Sequence, residues 1–318
     1  MSGACAVDPG ALVNRVDKNR RHLARWARRE GIDAYRLYDR DMPEFPIAID
    51  RYADWLQVQV FERRRMLADA DLHAIREALA GALGIPQPQV VIKLRRRQRG
   101  SSQYGRLADD APSFTVTERG LRFEVNLRRY LDTGLFLDHR DTRQWVRERA
   151  AGRTFLNLFA YTGSFSVYAA AGGARRSVTV DMSKTYQAWS RRNLVRNRLD
   201  DPQRHSFVQS DVLAFLARMR EARASFDLIV LDPPSFSNSK RMQDSFDVQR
   251  DQFELLRQTS GLLARGGELL FSTNRQGFRL DARVGELADV SEITAQTVPV
   301  DFKRRLPHRC WLLRNTAG

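Results

Sequence analysis

From about residue 132 onward, short apolar runs alternate with segments of helical periodicity, and this alternation constrains the fold more than any other feature. The run Phe226–Leu231 shows no polar–apolar alternation, as expected for a strand that is buried on both faces. Strands and helices that alternate along a chain predict a parallel sheet covered by helices on both faces. We predict strands at Thr154–Phe159, Ser177–Asp181, Ser206–Ser210, Phe226–Leu231 and Glu268–Ser272, and helices at Phe165–Ala171, Ser183–Arg198, Val212–Arg223, Phe246–Leu263 and Arg279–Leu287.

Two further strands are expected near the C-terminus, at Glu292–Val298 and Cys310–Arg314. No connection of helix length separates them, so they can pair only as an antiparallel hairpin. With the five parallel strands they predict an α/β fold with a seven-stranded, mostly parallel sheet. Residues 1–130 predict a smaller α+β domain that begins with an amphipathic helix at Ala11–Glu30. We therefore expect two domains, 1–130 and 131–318.

The chain has a net charge of +15 and a pI of about 10.6. A field of this sign attracts polyanions, so nucleic acid is the favoured partner and a merely basic surface is the alternative. No apolar run approaches the roughly 20 residues that span a bilayer. The N-terminus lacks the pattern of a secretory signal, so we expect a cytoplasmic protein without membrane contact. The two cysteines show no metal-ligand spacing, and we expect neither a metal site nor a disulfide.

Three aspartates follow three successive predicted strands, namely Asp181, Asp211 and Asp232. Ligands of open α/β sheets bind at the carboxyl ends of the strands. A carboxylate such as Asp181 can accept hydrogen bonds from a ribose diol, and Asp211 from an adenine amino group. Each could instead be a helix cap, but the three together favour a nucleoside-containing ligand.

The segment after the first parallel strand is another candidate ligand loop. Gly163 would let the backbone approach a ligand closely, although the run lacks the full G-x-G-x-x-G pattern and a plain strand–helix turn is equally consistent. We expect this loop and the residues beside the first two aspartates to contribute to the ligand site. The candidates are Asn157, Phe159, Tyr161, Thr162, Gly163, Met182, Ser183 and Val212.

The most specific short motif is Asp232-Pro233-Pro234-Ser235-Phe236, at the end of the fourth parallel strand. Its two prolines stiffen the loop, which can then hold a carboxylate and carbonyl groups against a flat base. Phe236 is placed to stack on that base. The motif is typical of methyltransferases that act on ring or amino nitrogens of bases. We expect Asp232, Pro233, Pro234 and Phe236 to form the catalytic loop.

Three basic runs are candidates for phosphate contacts, although each alone could be a solvated face. The first run is Lys93–Gly100. The second is Asn238–Arg241, which follows the D-P-P motif, and the third is Lys303-Arg304-Arg305. The residues that we expect to bind RNA are Lys93, Arg95, Arg96, Arg97, Arg99, Lys240 and Arg241.

The position of the cysteines argues against one chemistry. Methylation at cytosine C5 needs a cysteine nucleophile, because that carbon must be activated covalently. The fifth-strand loop reads Phe271-Ser272-Thr273-Asn274, and neither Cys5 nor Cys310 lies in a motif. A ring nitrogen already has a lone pair, so positioning against the methyl group supplies most of the rate.

Long runs of this chain resemble the guanine-N7 methyltransferase half, RlmK, of the bifunctional 23S ribosomal RNA methyltransferases of bacteria. The resemblance extends from about Asn14 to the C-terminus. The matching runs are YRLYD (35–39), DRYADW (50–55), YLDTGLFLDHR (130–140), NLFAYTGS (157–164), DPPSFSNSKRM (232–242), FDVQRD (246–251) and HRCWL (308–312).

This resemblance implies a class I, Rossmann-like fold and S-adenosylmethionine as cofactor. It also implies a guanine in domain V of 23S RNA as substrate and a small α/β domain before the catalytic one. We expect that first domain, residues 1–130, to be an RNA-binding, accessory domain. The run that includes Phe136, Asp138 and Arg140 is similar to a segment that borders the cofactor in related RNA methyltransferases. The chain lacks the THUMP domain and the guanine-N2 methyltransferase module of the fused proteins, so a separate THUMP-containing partner is an option.

Three other functions stay open. The first is methylation of an amino group, at guanine N2 or adenine N6, which the D-P-P loop also permits. The second is a non-catalytic RNA-binding or ribosome-assembly protein that keeps the fold, which the intact strand-end aspartates disfavour. The third is a nicotinamide-dependent dehydrogenase, which the incomplete glycine pattern disfavours.

Overall fold

The computed structural model describes residues 7–61, 67–95, 112–237, 245–302 and 305–315. The chain divides into two compact units. The N-terminal unit comprises residues 1–120, 125–133 and 300–305, and the C-terminal unit comprises residues 121–124, 134–299 and 306–318.

The N-terminal unit is built on a four-stranded sheet with strand order β1-β2-β3-β4. Its pairs are antiparallel except for β3–β4, which are parallel because helix α2 connects them. Its elements are α1 (Gly10–Glu30), β1 (Ala34–Asp39), β2 (Ile47–Tyr52), β3 (Trp55–Phe61), α2 (Asp69–Leu83) and β4 (Val90–Arg95). Strands β5 (Phe114–Glu118) and β6 (Leu121–Val125) come next in the chain.

Helix α1 has the amphipathic character that its sequence predicts. Leu12, Val16, Leu23 and Ala27 are buried on one face, at intervals of four, seven and four residues that match the helical period. Gly31 ends the helix in the left-handed conformation, with φ of 63°.

The C-terminal unit contains a seven-stranded sheet with the order β14-β15-β13-β10-β7-β8-β9. The five strands from β13 to β9 are parallel, and β14 and β15 run antiparallel beside β13. Its elements are α3 (Arg140–Arg149), β7 (Thr154–Leu158), α4 (Ser164–Ala171), β8 (Arg176–Asp181), α5 (Lys184–Arg196), β9 (His205–Gln209), α6 (Val212–Glu221), β10 (Phe226–Leu231), β11 (Phe236–Ser237), β12 (Phe246–Asp247), α7 (Val248–Ser260), β13 (Leu263–Thr273), β14 (Asp289–Glu292), α8 (Thr294–Thr297) and β15 (Arg309–Arg314).

Alternate residues of the central strands enter two cores, one on each face of this sheet. Leu156 and Ile229 pack in the core that contains residues of α6 and α7. Phe155 and Leu228 pack in the core that contains residues of α3 and α4. The predicted α/β fold, with a mostly parallel seven-stranded sheet and an antiparallel C-terminal hairpin, is confirmed.

Two predicted elements were wrong. The first hairpin strand is Asp289–Glu292, and Thr294–Thr297 is helical because the Thr294 hydroxyl accepts the Cys310 N–H at 3.0 Å and so replaces the ladder carbonyl. The helix predicted at Arg279–Leu287 is only a 3₁₀ turn at Ala282–Glu286, which begins where the Asp281 side chain caps the Arg283 N–H. Among the described residues, none of the helices combines the length and the apolar character needed to cross a membrane.

Candidate active site

The carboxyl ends of the five parallel strands in the C-terminal unit meet at one edge of the sheet. The chain goes from β7 to β8 on one side and returns to β10 on the other side, so the strand order reverses between β7 and β10. A crevice forms outside the strand ends at such a reversal, and ligands of doubly wound folds bind there. The loops after β7, β8, β9, β10 and β13 therefore define the candidate site.

The loop after β7 holds an unusual backbone. Phe159 and Tyr161 have positive φ angles of 56° and 51°, which side chains other than glycine rarely adopt. Such residues typically cost about 1–3 kcal/mol each and persist only where the surroundings enforce them. Here the Ala160 N–H donates to the Val180 carbonyl at 3.0 Å, and the Tyr161 N–H donates to the Asp181 carboxylate at 2.8 Å. The backbone is therefore curved around the end of β8.

Gly163 ends this loop with a φ of 71°. A Cβ atom at this position would lie 2.7 Å from the Cβ of Ser190 in α5. The absence of a side chain at Gly163 therefore lets this loop pack closely against α5. In this structure the close backbone approach expected at Gly163 is made by a helix. Thr162 is fully buried, and its hydroxyl donates to the Gly134 carbonyl at 2.6 Å.

Asp181 lies at the end of β8 and is the residue around which two loops are arranged. One carboxylate oxygen accepts from the Tyr161 N–H and the other accepts from the Ser183 N–H, both at 2.8 Å. Burial raises the pKa of Asp181 to about 6, although these two backbone hydrogen bonds lower it. Each oxygen keeps a second lone pair, so the carboxylate can still accept from a ligand hydroxyl.

Several predicted cofactor residues have structural partners of their own. Asp211 caps α6 by accepting the Ala214 N–H at 3.0 Å, and Ser183 caps α5 by accepting the Tyr186 N–H at 3.3 Å. Asn157 is buried on β7 and donates to the Ser166 hydroxyl at 3.0 Å. Val212 is buried in the core, and Met182 is half-buried. The capping role and a ligand role are compatible for Asp211, because only one of its oxygens binds the helix.

The 136–140 segment leads into α3. Phe136 is exposed, and its ring lies 5.1 Å from the Tyr161 ring in the loop after β7. Asp138 and His139 lie in a 3₁₀ turn, and Arg140 begins the helix with a fully buried side chain. The structure therefore brings Phe136 to the β7 loop and buries Arg140.

The D-P-P loop leaves β10 beside the end of β13. The Asp232 carboxyl accepts a hydrogen bond from the Ser272 hydroxyl at 2.6 Å, and its other oxygen lies 3.6 Å from His139 Nε2. Pro233 is buried and Pro234 is half-buried. Phe236 leaves 44% of its surface exposed although its backbone pairs with Asp247. The loop therefore carries the anchored carboxyl of Asp232 and, four residues later, the exposed ring of Phe236.

The ionisation of Asp232 is perturbed. Burial raises its pKa to about 6, with a smaller contribution in the same direction from the charge of Asp138. The Ser272 hydrogen bond and the charge of His308 act in the opposite direction. Perturbed carboxyls in a crevice are characteristic of functional sites.

A cluster of His139, His308, Asp138 and Cys310 adjoins Asp232, and the sequence reasoning missed both histidines and the cysteine. His308 Nδ1 lies 3.1 Å from the Asp138 carboxylate, and the two histidine rings stack with centroids 4.2 Å apart. His139, His308 and Cys310 bring potential metal-ligand atoms within 4.8 Å of one another. The ring planes are only 12° apart, so the nitrogen lone pairs of the two imidazoles lie in nearly parallel planes. These residues lie in the runs YLDTGLFLDHR and HRCWL, which matched the related family and could have indicated them as site residues.

The predicted RNA-binding residues are only partly within the described structure. Arg96, Arg97, Arg99, Lys240 and Arg241 lie outside the described residues, and for Arg95 only the strand position is described. Lys93 is buried, and its ammonium group donates to the Tyr130 and Leu131 carbonyls. That placement directs its charge to the main chain, which leaves the neighbouring arginines as the residues we expect to meet phosphates.

The N-terminal unit contains a groove of about 690 Å³ near β4. Arg76 of α2 and Arg128 line it together with apolar residues of β4. The Arg128 guanidinium donates to the Pro88 carbonyl and lies 5.4 Å from the Trp55 ring. This groove therefore combines positive charge with apolar surface.

Comparison with solved structures identifies the fold. A structure described as a methyltransferase in complex with SAH matches with a TM-score of 0.75 and 26% identity, over 98% of this chain and 83% of that one. A structure described as a SAM-dependent methyltransferase from Streptococcus mutans matches with a TM-score of 0.73 and 25% identity, over 98% and 82% of the two chains. The fold is that of S-adenosylmethionine-dependent methyltransferases.

The family follows from the sequence comparisons. Residues 36–304 match the family described as S-adenosylmethionine-dependent methyltransferase, and the chain belongs to this family with S-adenosylmethionine as its cofactor. A relative from Neisseria meningitidis serogroup B, named ribosomal RNA large subunit methyltransferase K, is 47% identical over 308 residues. The match covers 96% of this chain and 87% of the relative.

Proposed function

We propose that this chain transfers the methyl group of S-adenosylmethionine to N7 of a guanine in domain V of 23S ribosomal RNA. The observation that carries the proposal is the anchored Asp232 carboxyl, with the open ring of Phe236 in the same loop. The 47% identical relative is named as a large-subunit ribosomal RNA methyltransferase, which supports the RNA class.

The residues at the ends of β7, β8 and β9 fit the cofactor. Asp181 would accept from the ribose hydroxyls, since each of its oxygens binds one backbone N–H group and keeps a second lone pair. Asp211 would accept from the adenine amino group, and the exposed Phe136 ring beside Tyr161 would cover the ligand. The bound cofactor supplies an electrophilic methyl group.

The D-P-P loop would hold the target base. Phe236 would stack on the guanine, and its exposure leaves the ring face available for this contact. Asp232, ionised, would offset the positive charge that develops on the base as N7 takes the methyl group. N7 carries a lone pair and no hydrogen, so no general base is needed and placement of the base supplies the rate.

The N-terminal unit and the basic runs would bind the RNA backbone. The net charge of +15 supports this assignment, and the groove at Arg76 and Arg128 offers further cations. Domain 1–130 would thus serve as the RNA-binding, accessory domain. A separate THUMP-containing guanine-N2 methyltransferase would be a partner in capturing the same RNA.

Methylation of guanine N2 or adenine N6 is the main alternative, because a D-P-P loop can also accept from an amino group. The two classes differ in the proton balance. An amino nitrogen must lose a proton after transfer, whereas N7 acquires a net positive charge. Asp232 serves both mechanisms, so identification of the product separates them.

The experiment is methyl transfer to 23S RNA prepared without modifications. We expect a labelled methyl group from S-adenosylmethionine in one guanine of domain V. Nucleoside mass spectrometry should identify N7-methylguanosine, and the same position should become a strand-break site after borohydride and aniline treatment. Methyl-N2-guanosine or methyl-N6-adenosine as the product would overturn the N7 assignment. Cofactor binding without any methyl transfer would favour an RNA-binding assembly protein.

A further inference from the structure

His308 is enclosed by groups that require it to donate from both ring nitrogens. Its Nδ1 lies 3.1 Å from the Asp138 carboxylate, which can only accept when ionised. Its Nε2 lies 3.1 Å from the Thr297 hydroxyl, and that hydroxyl uses its single hydrogen to reach the Thr294 carbonyl at 3.0 Å. The Thr297 oxygen must therefore accept from Nε2–H. With both nitrogens protonated, His308 is an imidazolium ion.

His139 is in the opposite state. Its Nδ1 lies 3.2 Å from the Thr142 hydroxyl, and that hydroxyl points its hydrogen towards the Thr297 carbonyl at 3.5 Å. Nδ1 is then the donor, and Nε2 faces Asp232 with a lone pair. Burial lowers the pKa of His139 to about 3. The positive charges of His308 and Arg143 act in the same direction, whereas the charge of Asp138 acts to raise it. The neutral His139 ring gives Asp232 no positive charge.

We propose that His308 is a positioning residue whose positive charge, held by Asp138, favours the ionised form of Asp232 for methyl transfer. The neutral ring of His139 stacks on His308, and its Nε2 lies 3.6 Å from the Asp232 carboxyl. This inference rests on the proposed function only in assigning Asp232 to the transfer step. The charge state of His308 does not depend on that assignment.

The groups around Asp232 and His308 set the direction in which the pKa of each residue is shifted. Around Asp232 they are Ser272 of β13, Asp138, His139 and His308. Around His308, burial lowers the pKa, but Cys310 of β15 and Asp138 outweigh it and raise the pKa to about 10. His308 lowers the pKa of Asp232 and Asp138 raises it. Loss of the His308 charge, with Asp138 retained, should therefore raise the pKa of Asp232.

The test is the pH profile of methyl transfer to 23S RNA at saturating S-adenosylmethionine, for His308→Gln and Asp138→Asn. Each variant removes a charge and keeps a hydrogen-bonding side chain. In His308→Gln we expect the acidic limb of the kcat/KM profile for RNA to move up by roughly one pH unit. At a pH below the limb, kcat/KM should then be about tenfold lower than in the parent. In Asp138→Asn we expect little shift, because the variant also loosens the charge of His308, and the two lost charges act on Asp232 in opposite directions. His73→Gln, the same substitution at an exposed histidine of α2, should leave the profile unchanged.

A general loss of structure would lower activity at every pH and would not move the acidic limb. An acidic limb that stays in place in the folded His308→Gln variant would overturn the proposal. Variants that bind S-adenosylmethionine with the affinity of the parent are counted as folded.

A second measurement separates this inference from the proposed function. In the full chain labelled with ¹⁵N-histidine, the resonances of His308, identified by their loss in His308→Gln, should keep imidazolium shifts well above the ordinary pKa of about 6.5. Asp138→Asn should bring the titration down. A His308 that titrates near the ordinary value would overturn the proposal even if RNA is methylated. An imidazolium together with an absence of methyl transfer to 23S RNA would reject the proposed function and keep the charge assignment.

Discussion

The Ser272 hydroxyl donates a 2.6 Å hydrogen bond to the Asp232 carboxyl, and so joins the end of β13 to the loop that leaves β10. Both residues follow neighbouring parallel strands, whose carboxyl ends meet at the same edge of the sheet. Ser272 is completely buried, so its hydroxyl needs this acceptor. The bond fixes the orientation of Asp232 before any substrate is present.

Asp232 should make the folded state less stable at neutral pH. Its folded pKa of about 6 lies above the ordinary value of 3.8, so the ionised carboxylate is less favourable in the folded chain than in the unfolded chain. The penalty is absent below about pH 4, grows as the pH rises towards 6, and is complete above it. Asp232→Asn should therefore raise the free energy of unfolding by about 1–3 kcal/mol near pH 8 and change it little near pH 4.

Denaturant titrations of the parent and Asp232→Asn at the two pH values measure this difference. Asparagine can still accept from Ser272, so the variant isolates the charge. An equal change at both pH values would show that lost contacts, and not ionisation, are responsible. The same variant should lose most methyl transfer while it still binds the cofactor.

Asp181 should contribute to cofactor affinity. Asp181→Ala removes a charge-assisted acceptor for the ribose and should weaken S-adenosylmethionine binding by about 1.5–3 kcal/mol. Isothermal titration measures the change. Asp181→Asn keeps one acceptor oxygen and should bind with intermediate affinity. If Asp181→Ala binds as tightly as the parent, the ribose assignment is wrong.

Phe236 should act on the RNA base and not on the cofactor. Phe236→Ala should lose stacking worth about 1–3 kcal/mol and with it most of the methyl transfer, whereas S-adenosylmethionine binding should be unchanged. Phe236→Trp, which keeps an aromatic face, should retain activity. Equal activity of the alanine and tryptophan variants would remove the stacking role.

The basic run that follows β4 should bind phosphates. Replacement of Arg95, Arg96 and Arg97 by alanine should weaken RNA binding and reduce the slope of log affinity against log salt by up to about 3, without a change in cofactor affinity. Filter binding across a salt series measures both. A matched loss of charge in the C-terminal unit, at the exposed Arg191, Arg218 and Arg220 of α5 and α6, serves as the control and should leave the slope nearly unchanged. An identical slope in the parent and the first variant would show that this run is only a solvated face.

Methyl transfer should not need a cysteine nucleophile. Cys310 is buried on β15 beside His308, and Cys5 lies outside the described residues. A Cys5→Ser, Cys310→Ser double variant should remain active, because a ring nitrogen attacks the methyl group without a covalent adduct and because Asp138 still contacts His308. A protein–RNA adduct trapped in the parent and absent from the folded, inactive double variant would instead establish covalent C5 chemistry.

Periodicity and local motifs were sufficient for much of the fold. Runs such as Phe226–Leu231 predicted buried parallel strands, because burial on both faces leaves a continuous apolar pattern. The predictions failed near the C-terminus, where a tertiary contact decides the local structure. The Thr294 hydroxyl replaces a ladder acceptor, so the strand ends earlier than its β-branched residues predict.

The candidate site divides in the same way. The strand-end aspartates and the D-P-P loop could be predicted from the sequence, because strand ends and turn residues are local in the chain, and the cofactor was implied by the resemblance of long runs to a known family. The clustering of Asp138, His308 and Asp232 becomes apparent only in three dimensions, since 170 positions separate Asp138 from His308. A charge interaction depends on distance through space and on burial, and neither quantity can be read from spacing along the chain.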